Sequence, residues 1–246
     1  MSGHSHYSTI KRQKAATDAV KGNVFSKHAK LIMIAAKGGA DPDSNFRLRV
    51  AIDKARGDNM PKDNIERAIS KATSEGGNLD EVSYEGFGPS GIAVIVEAAT
   101  DNKNRTAQEI KNLFEKGGGR LGGPGAVSYN FENKGFMFVK KTGDPDSQMM
   151  TLIDLGVQDM EDTEDGIEVY VAPETLSDMR KKIMDAGFEV IETELQMKPK
   201  TPQTVTDVET AQKIIKFLDA FEEYDDVQKV FSNLDIPADV MSKLGN

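Results

Sequence analysis

Between residues 45 and 72 the apolar positions recur at helical spacing. Leu48, Ala51, Ile52 and Ala55 fall three and four apart, and Ile65, Ala68, Ile69 and Ala72 repeat the pattern, so the stretch predicts two short amphipathic helices. Gly57 ends the first, and Pro61 opens the second with Asp63 in its first turn, where a carboxylate suits the helix dipole. Upstream, residues 24–37 predict another helix, with Phe25, His28, Leu31, Ile32 and Ala35 facing inward and Lys27, Lys30 and Lys37 facing solvent. Gly38-Gly39 stop it. Residues 3–14, GHSHYSTIKRQK, read as a polar arm running into a helix capped by Ser8 or Thr9.

After EGGNLDEVSYEGFGPSG, a polar and glycine-rich connection, the period changes to that of strands. Residues 92–100 are apolar and β-branched. DNKNRT then turns into a helix to Lys116, with Thr106 and Glu109 as its capping box. GGGRLGGPG follows, then a strand AVSYNF and a Lys-Gly turn. From Phe136 onward the order is β-α-β-β-α-β, that of a ferredoxin-like fold, with an acidic hairpin at residues 161–165. MKPKTPQT reads as a crossover, followed by a helix over 207–223, a strand VQKVFSNL and a loose tail. The expected class is α+β multidomain: a helical N-terminal domain plus two α+β domains, one inserted into the other. The boundaries expected are 1–78 for the basic helical domain, 79–133 with 200–246 for the central domain, and 134–199 for the acidic ferredoxin-like insert.

Charge sharpens this picture. The chain carries a net −9, yet residues 1–75 hold 14 Lys/Arg against 8 Asp/Glu, a net +6, and the remainder holds 17 against 32, a net −15. A basic front on an acidic body suits a protein that sets one end against phosphates, so the expected partner is nucleic acid. The candidate contacts in the front are Lys11, Arg12, Lys14, Lys27, Lys30, Arg47, Arg49, Lys54, Arg56, Lys62, Arg67 and Lys71. Behind it, Lys103 and Arg105 stand at a helix N-terminus, where amides and cations can meet a phosphate; the other reading there is a well-capped turn. Arg120 lies in a run with six glycines between Gly117 and Gly125, which could wrap a phosphate or a peptide, or form a helix C-cap and a wide turn.

Catalytic chemistry is scarce. There is no cysteine, and no histidine lies beyond His28, so thiolate catalysis and the usual general base are missing from most of the chain. Ser90 in GPSG does not sit in a G-x-S-x-G elbow, and the glycine run lacks the Lys-Ser/Thr of a phosphate-binding loop. His28 reads as a packing histidine. His4 and His6 lack further ligands nearby, and the acidic hairpin reads as solvated. A non-enzyme without metal or cofactor is expected. No apolar run reaches membrane length and no secretory leader is recognisable, so the expected location is the cytoplasm, as a monomer or weak dimer.

GHSHYSTIKRQK, NFRLRVAIDKARGDNMPKDNIERAI, YEGFGPSGIAVIVEAATDNKNRTAQEI and GGGRLGGPGAVSYNFENKG, in that order, resemble the YebC/PmpR family across essentially the whole chain. His6-Tyr7 stands where members commonly have Lys-Trp, which leaves any stacking role in the arm to Tyr7. The resemblance implies a three-domain protein and a DNA-binding transcriptional regulator. Its other implication is a translation factor acting on ribosomal RNA, tRNA or the ribosome, since a mitochondrial relative is described as a translational activator. A third reading, from the residues, is a scaffold that binds through its acidic domain. The helix opening Pro61-Lys62-Asp63-Asn64 is a poor base reader, and a flexible basic arm with a glycine loop suits folded RNA.

Overall fold

The computed structural model describes residues 21–73, 79–163 and 166–244. Three helices come first: α1 (Lys21–Ala36), α2 (Phe46–Gly57) and α3 (Lys62–Thr73). Both apolar stripes face a common core, in which Leu48, Ile52, Ala55, Ile65 and Ala68 pack on Ile32, Met33, Ala35 and Ala36 of α1. The α1 end is buried on nearly every side, which is why its apolar residues run almost continuously from Leu31 to Ala36. Asn45 joins the first two helices. Its carboxamide oxygen accepts from the Leu48 amide at 3.1 Å, capping α2, while its nitrogen donates to the carbonyls of Ala35 and Gly39 at 2.8 and 2.7 Å.

The chain continues through β1 (Asp80–Phe87), β2 (Ala93–Thr100), α4 (Lys103–Lys116), β3 (Arg120–Leu121), β4 (Phe131–Lys140), α5 (Pro145–Asp154), β5 (Asp159–Asp162), β6 (Gly166–Val171), α6 (Leu176–Asp185), β7 (Val190–Pro199), β8 (Gln203–Thr204), α7 (Val208–Glu222), β9 (Val227–Ser232), β10 (Leu234–Asp235) and α8 (Ala238–Leu244). These elements fall into two compact units. One extends through Tyr129 and takes in Glu209–Ser232; the other is Asn130–Val208 with the chain from Asn233 onward. No helix of the described residues is long and apolar enough to cross a membrane.

In the first unit an antiparallel sheet in the order β3-β1-β2-β9 follows the three helices. Seven of the eight β2 residues are buried, Glu97 excepted, and an aromatic trio holds α4 to α7: Phe114, Phe217 and Phe221 meet edge to face with centroids 4.8 to 5.7 Å apart. In the second unit the antiparallel sheet runs β5-β6-β4-β7. Counted along the β-α-β-β-α-β segment that order is 4-1-3-2, the ferredoxin-like arrangement, and Met137, Val139, Ile167 and Val169 meet Leu152, Leu176, Met179 and Ile183 of the helices in one core. The expected fold class stands.

Four local expectations are corrected. The stretch taken as a connection contains β1, which pairs residue for residue with β2 from Asp80↔Thr100 to Phe87↔Ala93; its glycines and acids conceal a strand exposed on one face. The two strands expected around a Lys-Gly turn are the single strand β4, and Gly135 is a mid-strand residue where a Cβ would stand 2.9 Å from Leu176. The helix at DNKNRT starts at Lys103 and is capped by Asn102, whose side chain accepts from the Arg105 amide; Thr106 is buried inside it and caps nothing. The loose tail contains α8, with Val240 buried.

His28, on α1, is buried, and its Nε2 lies 2.5 Å from Oδ2 of Asp58 at the end of α2, while Nδ1 has no partner. Burial lowers its pKa, and the Asp58 contact only partly offsets that. A neutral ring is thus favoured in the fold and a protonated one in the unfolded chain. Its contribution to stability is complete above the ordinary 6.5 and is lost as pH falls through the folded value. Urea midpoints should therefore drop between pH 7.5 and 5.5 by more in the wild type than in His28→Gln; equal drops would contradict the assignment.

Candidate nucleic-acid interface

The two helices α2 and α3 bury their small-residue stripes and turn their cations outward. Arg47, Arg49, Arg56, Lys62, Arg67 and Lys71 are exposed and Lys54 is half-buried. They differ in what they touch. Arg47 pairs with Glu81, Arg56 lies 4.0 Å from Asp53 and Lys62 3.5 Å from Glu66, all with both partners well exposed. Such surface pairs contribute about 0–1 kcal/mol and exchange readily for a phosphate. Arg49 and Arg67 have no carboxylate partner among the described residues. Arg49 does not reach Asp53; it donates to the carbonyls of Pro42 and Asp43 at 3.0 and 2.7 Å. Arg67 donates to the Asp63 carbonyl at 3.1 Å and to the side chain of Asn64. These bonds orient two guanidinium groups without neutralising them.

A second group of the cations turns inward, onto a partner far away in the linear chain. Asp226, between α7 and β9, has a side chain only 7% exposed. Lys30 of α1 donates to its Oδ1 at 2.7 Å, and Arg105 and Thr106 of α4 donate to Oδ2 at 3.1 and 2.7 Å, with the Tyr224 hydroxyl at 3.2 Å. Burial works to raise the Asp226 pKa, but the bonds from Lys30, Thr106 and Arg105 outweigh it and hold the carboxyl well below the usual range. Lys27 reinforces the attachment by donating to the Glu222 carbonyl. Lys27 and Lys30, expected to face solvent, are thus half-buried fasteners of α1; Lys37 is exposed as expected and bonds the Leu79 carbonyl. At the start of α4, Arg105 also pairs with Asp101 at 2.8 Å, and Lys103 lies 3.4 Å from Asp80. Both exposed pairs are of the exchangeable surface kind, whereas the Arg105 contact with buried Asp226 is part of the fold.

The glycine run closes on the protein itself. Gly119 lies where a Cβ would be 2.5 Å from the Phe87 carbonyl, and a Cβ on Gly117 would strike Phe217. Farther along, the amides of Gly125, Val127 and Ser128 donate to the Glu85 carboxylate at 2.8 to 2.9 Å. Burial tends to raise the Glu85 pKa, yet those three amides bring it below the ordinary value. The anion the loop could wrap is supplied by its own sheet. Arg120 remains exposed, its guanidinium 4.8 Å from the Phe87 ring centroid. Lys11, Arg12 and Lys14, like His4, His6 and Tyr7, lie outside the described residues. Of the acidic hairpin, Glu161 meets Lys198 at 3.2 Å and Asp162 meets Lys141 at 2.8 Å, while Glu164 and Asp165 lie outside the described residues.

Three helices fastened to an antiparallel sheet, two of them carrying outward guanidinium groups, together with a ferredoxin-like unit, define an α+β protein with a basic helical surface. Residues 5–75 match the TACO1/YebC protein N-terminal domain, and residues 79–234 match the TACO1/YebC second and third domain. The chain belongs to the TACO1/YebC family. A protein of Sulfurihydrogenibium sp. is 47% identical over 250 residues, covering 99% of each chain, and one of Thermotoga petrophila is 45% identical over 249, covering 99% of this chain and 98% of its own. Both carry the name "Probable transcriptional regulatory protein". The crystal structure of a conserved hypothetical protein from Aquifex aeolicus superposes with a TM-score of 0.83 at 42% identity, covering 89% of this chain and 92% of that one.

Asp226→Ala removes a buried carboxylate that Lys30, Arg105 and Thr106 share and leaves the Thr106 hydroxyl without that acceptor, and the cost of losing a buried hydrogen-bond partner is about 1–3 kcal/mol. Chemical denaturation should show a loss of that order; a change within about 0.5 kcal/mol, that of an ordinary surface substitution, would mean that Asp226 does not fasten α1.

Proposed function

We propose that this chain is a non-enzymatic, DNA-binding regulator of transcription whose basic helical surface, α2 with α3, lies against the sugar–phosphate backbone. The observation that carries the reading is the pair Arg49 and Arg67: both guanidinium groups are exposed, both are held by neutral acceptors, and neither has a carboxylate partner among the described residues. Oriented, charged and hydrated groups of this kind are suited to phosphate oxygens. The net −15 of residues 76–246 favours one orientation by repelling the rest of the chain from the polyanion. The name shared by the relatives supplies the choice of DNA.

One observation favours folded RNA as a second reading. Asn64, the amide side chain at the start of α3, already accepts a hydrogen bond from Arg67. This bond takes one lone pair of the carboxamide oxygen and ties its orientation to Arg67, which competes with bidentate base-edge reading in a major groove but not with backbone contacts to ribosomal RNA or tRNA.

Arg49→Glu combined with Arg67→Glu should weaken duplex binding at least tenfold and lower the log–log salt slope by roughly 0.9 for each lost phosphate contact, with the melting temperature little changed. Unaltered affinity would remove this surface from the interface. A specific-to-scrambled duplex ratio near one, with ribosomal RNA recovered on crosslinking in cells, would move the function from transcription to translation.

A further inference from the structure

We propose that the cleft between the two glycine turns beside β1 and β3 receives one unpaired nucleotide, its base stacked against Arg120. The inference rests on the nucleic-acid reading above and adds a ligand-binding position that the helical surface does not provide. The cleft has a volume of about 330 Å³ and is lined by Phe87, Ser90, Gly91, Gly118, Gly119 and Arg120 among others, a size at the lower end of small-ligand sites, roughly 300–1,000 Å³.

Three features select the ligand. No carboxylate lines the cleft among the described residues, although residues 76–246 carry a net −15; an anion meets a local cation there and no local repulsion. The cation is a guanidinium seated over the Phe87 ring at 4.8 Å. A planar cation supported on one face by an aromatic ring offers its other face to a second planar group, and nucleobases stack on guanidinium groups in this way. The remaining wall is backbone. Gly118, at φ +79, has open space where a side chain would begin, so a flat group can approach the main chain closely. Phosphate charge, a flat base and close backbone approach are together the attributes of a nucleotide, and a paired base cannot present its face. A peptide carboxylate would use the charge of Arg120 but not its stacking surface.

The test uses the full chain and a single-stranded octamer carrying 2-aminopurine at its centre. Anisotropy measures affinity, and the 2-aminopurine emission at saturation reports stacking. Arg120→Ala should weaken the octamer roughly tenfold and abolish the emission change. Arg120→Lys should keep the salt slope but lose most of the emission change, because an ammonium has no planar face. Arg49→Glu should weaken binding while preserving the emission change at saturation. Wild-type affinity and emission in Arg120→Ala, at wild-type melting temperature, would overturn the proposal. Duplex binding by the wild type without any 2-aminopurine response would also overturn it and leave the helical interface standing. Failure of the wild type to bind either form would remove both readings.

Discussion

A buried carboxylate governs how the basic helices are used. Asp226 draws Lys30 from the first helix and Arg105 and Thr106 from the helix after β2 onto one pair of oxygens. The carboxylate is buried while its two cations reach it from more exposed positions, and the hydroxyls of Thr106 and Tyr224 complete its hydrogen bonding. This fixes which side of α1 faces the sheet. It also removes Lys30 and Arg105 from the cations open to an outside partner, while Arg49 and Arg67, on helices whose buried stripes pack on α1, stay exposed without a carboxylate partner among the described residues.

The same logic recurs at the glycine run. The amides of Gly125, Val127 and Ser128 are already filled by Glu85, and Gly117 and Gly119 answer to close contacts with Phe217 and Phe87. Arg120 is the exception, set over an aromatic ring beside a cleft without carboxylates. Positive groups in this protein thus divide by partner: carboxylate, neutral carbonyl or aromatic ring. A buried carboxylate such as Asp226 takes the charge out of use, whereas a surface carbonyl, an aromatic ring or an exposed carboxylate leaves it available to an outside anion.

Much of this division lies beyond a linear reading. The helix pair was legible because its apolar positions repeat at three and four, and the ferredoxin-like order because strand and helix periods alternate cleanly after Phe136. β1 was not legible, since its Gly86 and its acids imitate a loop; Gly86 is required where a Cβ would lie 2.6 Å from the Arg120 carbonyl. Asp226 was equally hidden. It sits in an acidic turn, and nothing in the linear chain says that this aspartate, nearly two hundred residues after Lys30, is buried. The charge asymmetry was visible in the sequence, but the fate of each cation depends on contacts between distant segments.

The division of the cations is tested most directly by measuring melting temperature and the salt dependence of nucleic-acid affinity together for Lys30→Gln and Arg49→Gln. Lys30→Gln should lower the melting temperature and leave the log–log slope unchanged; Arg49→Gln should reduce the slope by about 0.9 on a duplex and leave melting unchanged. A reduced slope in Lys30→Gln at wild-type stability, or an unchanged slope in Arg49→Gln, would contradict it.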